Sequence, residues 1–162
     1  MVRLPARLIE IGSTTDQLHL TISNRLLLGE RYVTLSHCWG SGQYLKLTTA
    51  TNDRLRAGFD ITLLPQTFRD AVRIARRLGV RYLWIVPLCI LLDSPSDWDK
   101  ETLAMADIYR GAYCNIAATG ATDGNVGLSY DGNVHFVERS FVQVQWPDSS
   151  LEKFRAKPKR RD

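Results

Sequence analysis

The sequence predicts an α/β domain, a mainly parallel sheet flanked by helices and led by an N-terminal β-hairpin, and three observations carry that prediction. Strand-like and helix-like segments alternate strand, helix, strand, helix, strand between residues 32 and 119, the order of crossover connections in a parallel sheet. Residues 81–86 are almost wholly apolar, as in strands buried on both faces. Two segments between the strands carry apolar residues at helical spacing.

Residues 7–11 and 18–23 cluster or alternate apolar side chains around Gly12-Ser13-Thr14-Thr15-Asp16, which predicts the hairpin, an extension over 1–29. The α/β core follows over 30–128, opening with a strand at 32–37 that ends at Cys38-Trp39-Gly40-Ser41-Gly42. A short helix is expected over 51–57. A stronger one starts at Pro65, with Phe68, Ala71, Val72, Ala75 and Leu78 on one face and Gly79 at its C-terminal end. After the strand at 81–86, a further helix is expected from Ser96, as N-cap, to Gly111, and a buried strand over 113–119. Residues 129–150 hold an extra strand or hairpin, and 151–162 read as a basic, disordered tail.

Charge and cysteine usage narrow the classes. Lys153, Arg155, Lys157, Lys159, Arg160 and Arg161 against Glu152 and Asp162 account for the whole net charge of +4. A terminal charge run is more often a solvated end than a nucleic-acid contact, so nucleic acid is not an expected partner. Cys38, Cys89 and Cys114 are odd in number, lie in apolar segments and lack metal-ligand spacing, which fits reduced thiols and a cytoplasmic setting. The longest apolar run, 83–92, has about half the roughly 20 residues of a membrane span, and no secretory leader is visible at the start.

The residue that most demands an explanation is Glu101. Counted at about 100° per residue from Trp98, the positions Thr102, Met105, Ile108, Tyr109 and Ala112 fall within a sector of about 120° that also holds Glu101. A carboxylate on a core-facing stripe must be paired, protonated or lining a cavity where it acts. Its two readings are a general base or electrostatic stabiliser, and a dipole-complementing glutamate near a helix start. Ligands of parallel sheets gather at the carboxyl ends of the strands, here 36–40, 86–93 and 119–123. At those ends Ser36 offers a hydroxyl to a ligand or to the backbone, and His37 lines a pocket or simply ends a strand. Trp39 and Trp98 stack on a ring or pack the core. Asp93 contacts a ligand or fixes its turn, and Cys89 reads as an inert core thiol. His37 and Cys38, adjacent on a strand, point to opposite faces and form no dyad.

Four blocks together resemble the fungal heterokaryon incompatibility (HET) domain. They are Tyr32-Val33-Thr34-Leu35-Ser36-His37-Cys38-Trp39-Gly40, then Leu64-Pro65-Gln66-Thr67-Phe68-Arg69-Asp70-Ala71, then Arg76 through Trp84-Ile85 to Leu88-Cys89-Ile90, and Asp97-Trp98 through Glu101, Met105 and Ile108-Tyr109 to Ala117-Ala118. The resemblance implies self/non-self recognition and programmed cell death signalling, with homotypic or heterotypic protein partners. It also implies a distant likeness to TIR domains, a flavodoxin-like fold in which some members cleave the nicotinamide bond of NAD. On that comparison Glu101 would be the essential carboxylate and NAD the substrate, with no other cofactor implied and no metal. The family block usually reads Trp-Ile-Asp-Ser-Leu-Cys-Ile, and here Val86-Pro87 stands for Asp-Ser. That exchange removes an acceptor, a hydroxyl and a backbone donor, so the resemblance implies a degenerate copy with any such activity weakened.

Overall fold

The computed structural model describes residues 4–23, 29–37, 43–118 and 127–128, together with the backbone of two strands at 141–145 and 151–155. It divides into two compact units, Met1–Ser129 and Tyr130–Asp162.

The first unit is built on one six-stranded sheet. Strands β1 (Arg7–Glu10) and β2 (Gln17–Ile22) form the expected hairpin, followed by β3 (Tyr32–Ser36), α1 (Asn52–Ala57), β4 (Phe59–Asp60), a 3-10 turn (Ile61–Leu63) and α2 (Gln66–Arg77). Then come β5 (Tyr82–Ile85), the one-turn α3 (Val86–Cys89), α4 (Pro95–Gly111) and β6 (Cys114–Ala117). Strand order is β4-β2-β1-β5-β3-β6. The alternation read between residues 32 and 119 produces a parallel ladder, β3 lying between β5 and β6. The sheet as a whole is mixed and mostly antiparallel, which corrects the mainly parallel expectation. The hairpin is no appendage: β1 pairs antiparallel with β5, Ile9 opposite Leu83, β2 pairs with β1, and β4 pairs with β2. The physical reason is an edge. All four residues of β5 are buried, and the crossovers give it one neighbour, β3. Its other row of backbone groups needs partners, and β1 supplies them.

Side chains of β3 alternate between the two helical layers. The Tyr32 hydroxyl donates to the Ile108 carbonyl of α4 at 2.6 Å, and its burial pushes the phenol pKa up to about 12. His37, just past the strand, meets the Phe68 ring of α2 edge-on at 4.7 Å. Helices α2 and α4 therefore cover opposite faces, and the core runs through both layers from Leu8, Ile9 and Leu18 to Phe68, Trp84 and Ile108.

Helix ends differ instructively from expectation. Pro65 is extended and caps α2 from outside. At the other end Gly79 takes φ +69°, while its N–H bonds the Arg76 carbonyl and that of Val80 bonds Ala75, both at 3.0 Å. This double closure needs a left-handed residue. It turns Leu78 outward, 42% exposed instead of on the buried face. The N-cap of α4 is Ser94, not Ser96. Its hydroxyl accepts from Asp97 N–H at 3.4 Å and Pro95 takes the first helical position, where no N–H is required. Strand β6 is alternately half-buried and exposed, where a buried strand was expected. It is the last strand in the sheet order, and the adjoining Tyr113 is 46% exposed under the Arg31 guanidinium.

In the second unit β7 (Phe141–Gln145) and β8 (Leu151–Arg155) form an antiparallel pair. Five residues of the stretch read as a disordered tail are thus a strand. The remaining tail residues, 156–162, lie outside the described residues.

Candidate functional site

The chain passes from β3 to β5 on one side and then from β5 back past β3 to β6 on the other, so the crossovers reverse direction between β3 and β5, the kind of switch point where sheets of this type open a crevice. A cleft of about 510 Å³ lies there, lined by Leu35, Ser36, His37, Val86, Trp98, Met105 and Tyr109. Its walls come from the end of β3, the start of α3 and the Trp98, Met105 and Tyr109 side of α4. Burial raises the pKa of the Tyr109 phenol, against a smaller opposing effect of the Ser36 hydroxyl. The Tyr109 ring meets Trp84 edge-on at 5.5 Å, which fixes the aromatic wall against the sheet.

The structure brings three of the sequence-predicted residues together here: Ser36, His37 and Trp98. Ser36 faces α4 and His37 faces α2, so they meet the cleft from different sides of the strand. Burial pushes the His37 pKa below its ordinary value, keeping the imidazole neutral at pH 7. Trp98 separates this cleft from a shallower depression that it shares with Leu92, Asp93 and Pro95. Asp93 is fastened to a segment remote in sequence and not to its own turn: its two carboxylate oxygens accept from Thr49 N–H at 2.9 and 3.0 Å, and one also from the Thr49 hydroxyl at 2.6 Å. Those bonds hold its pKa below the usual aspartate range. Trp39 lies outside the described residues.

Glu101 is elsewhere. It is 1% exposed and lines neither depression; its Oε2 accepts the backbone N–H of Ala6 at 3.2 Å. It sits in the second turn of α4, and the first-turn acid is Asp97. The buried side of that helix, Glu101, Ala104 and Ile108, is rotated toward Ala104 from the stripe counted in the sequence, and Glu101 belongs to both. Asp97 pairs with Arg7 and accepts Leu91 N–H at 2.9 Å, while Arg7 Nε donates to the Cys89 carbonyl at 2.8 Å. The Cys89 thiol is buried, and desolvation raises its pKa to about 12, which makes it an inert core group.

Val86 and Pro87 belong to α3. Proline there occupies the first turn, where its missing donor leaves no hydrogen bond unmade, and its carbonyl accepts Leu47 N–H at 2.7 Å. The exchange from Asp-Ser therefore alters side-chain chemistry without removing a backbone bond.

Sequence reasoning missed one polar cluster. Thr67 Oγ1 accepts Gly127 N–H at 3.2 Å and Asp70 Oδ2 accepts Leu128 N–H at 3.0 Å, so α2 holds two successive backbone groups near the end of the first unit. Asp70 also accepts from Gln66 at 2.7 Å and Arg73 at 3.2 Å. Two polar residues three apart on an otherwise apolar helix face were the available signal.

Among the described residues no group of His, Cys, Asp and Glu is arranged to hold a metal ion, and no helix is long and apolar enough to cross a membrane. A mixed sheet whose parallel strands open onto a cleft walled by helix and one-turn helix defines an α/β domain with a strand-end site. The chain belongs to the heterokaryon incompatibility protein (HET) family, whose model matches residues 32–161. No curated protein and no solved structure matches it.

Proposed function

We propose that this chain is a fungal, cytoplasmic signalling module of heterokaryon incompatibility, acting in self/non-self recognition and programmed cell death through homotypic or heterotypic protein association. Family membership is the observation that carries the reading. The make-up of the cleft supports association as the mode of action. Trp98, Met105 and Tyr109 offer apolar and aromatic surface over the buried Leu35 and Val86. Such a surface suits an inserted apolar partner side chain, the anchor of most protein interfaces. Ser36, His37 and Trp98 are the contact residues in this reading, with Asp93 beside them at the neighbouring depression. The TIR-like alternative, NAD glycohydrolysis with Glu101 as catalytic carboxylate, has less support, because Glu101 is buried and bonded to Ala6.

The test is one set of samples: the full chain, Trp98→Ala and Glu101→Gln at high concentration, followed by light scattering for mass and by NAD consumption. Association that Trp98→Ala abolishes, with NAD untouched in every sample, is the expected result. NAD consumption lost in Glu101→Gln would overturn the association reading in favour of the enzyme.

A further inference from the structure

The residues matched by the family model begin at 32, yet a side chain upstream of them ties together the two elements that wall the strand-end cleft. Arg7, at the start of β1, donates through Nε to the carbonyl of Cys89, the last residue of α3, at 2.8 Å. Its Nη2 pairs with the Asp97 carboxylate in the first turn of α4. The same Asp97 oxygen accepts the N–H of Leu91, in the segment joining the two helices, at 2.9 Å. Arg7 is 11% and Asp97 16% exposed at the side chain, so the pair is sheltered from the screening that weakens surface ion pairs. One guanidinium thus bridges α3, which opens with the cleft residue Val86, and α4, in which the cleft residue Trp98 follows Asp97 directly.

The guanidinium is a rigid planar fork, so its Nε and Nη2 donors have a fixed separation and direction. Seating both at once sets where the end of α3 lies relative to the start of α4. The neighbouring Ala6 N–H, bonded to Glu101 Oε2, ties the same strand to the same helix one turn further on. We propose that Arg7 is a positioning residue through which docking of the N-terminal hairpin fixes the spacing of α3 and α4, making the hairpin the control element of the Trp98 cleft. What that control governs rests on the association reading above. The coupling itself is a property of the fold and is tested without a partner.

The full chain is labelled with 5-fluorotryptophan, the Trp98 signal is assigned by Trp98→Phe, and Arg7→Gln and Arg7→Lys are compared with the unmodified protein alongside residue-resolved amide exchange. In Arg7→Gln the Trp98 fluorine signal shifts while that of Trp84, inside the sheet, stays in place. The Leu91 and Ile90 amides exchange about tenfold faster, while the Ile9 and Leu83 amides keep their rates. Arg7→Lys, which keeps the charge but not the fork, falls between. An unmoved Trp98 signal with unchanged Leu91 exchange overturns the proposal. So does an equal acceleration at Ile9, Leu83 and Leu91, because Arg7 would then hold only the strand.

Discussion

Glu101 Oε2 and the backbone N–H of Ala6 are hydrogen-bonded at 3.2 Å across 95 residues of chain. The bond joins the second turn of α4 to the residue preceding β1. It gives a buried carboxylate a partner, and it gives a backbone donor at the sheet's margin an acceptor.

That relationship fixes an ordering of variants. Glu101→Gln keeps an acceptor for Ala6 and should lower stability by about 1 kcal/mol, whereas Glu101→Ala strands the donor and opens a cavity, for a loss of about 2–4 kcal/mol. Urea midpoints of the two variants measure the difference. Equal midpoints would mean the bond contributes nothing.

The hairpin should be indispensable to folding. Leu8, Ile9, Ile11, Leu18 and Leu20 are all buried, each contributing roughly 1.5–3 kcal/mol against a typical net stability of about 5–15. A chain beginning at residue 32, where the family match starts, should show no cooperative thermal transition by circular dichroism. A sharp transition would show that the core closes without β1.

Two glycines should respond differently to alanine. Gly79, at φ +69°, has nothing within 4 Å of an added Cβ, so Gly79→Ala bears only the left-handed backbone cost of about 1–2 kcal/mol. Gly127, at φ +82°, would put its Cβ 2.9 Å from Asp70 Oδ2. Gly127→Ala should therefore lose more, and Asp70→Ala should remove part of the excess. Denaturation of both single variants and of the Gly127→Ala, Asp70→Ala double variant checks this.

His37 should make stability fall on mild acidification. Burial lowers its folded pKa from an ordinary value of about 6.5. Below that value the unfolded chain takes up a proton that the folded chain resists, so stability declines as pH falls from about 6.5 through the lower folded pKa, and is flat above. His37→Gln should flatten this part of the profile. An NMR titration in which His37 protonates at or above 6.5 would refute the sign.

The parallel ladder was legible because Tyr32-Val33-Thr34-Leu35 and Tyr82-Leu83-Trp84-Ile85 are apolar runs with helical patterns between and after them. Where the hairpin docks was not: the pairing of Ile9 with Leu83 is set by the open edge of β5, and no local pattern records it. Helix α3 escaped notice since four residues, Val86–Cys89, are too few to show a period. Ser94 and Ser96 are equally good caps by residue type, and Pro95 decided between them by fitting the first helical position. At the site, the residues of the stripe containing Trp98, Met105 and Tyr109 were legible as a core-facing side of the helix, and the structure sets those three beside Ser36 and His37 at the end of β3. The partner of Glu101 had no signature because it is a backbone N–H, which every residue but proline carries. Arg7 gave no signal for the same kind of reason: its role exists only once β1 lies against α3 and α4.

Pro87, seated in the first turn of α3, separates two properties that usually change together. Because the backbone there needs no donor, the position can drift from a polar pair to an apolar one with the architecture intact. Selection for a folded chain is then blind to the side-chain chemistry at the edge of the cleft. Two relatives that melt at the same temperature can still differ in the chemistry that position 86 presents to the cleft, and that difference can accumulate without passing through an unstable ancestor.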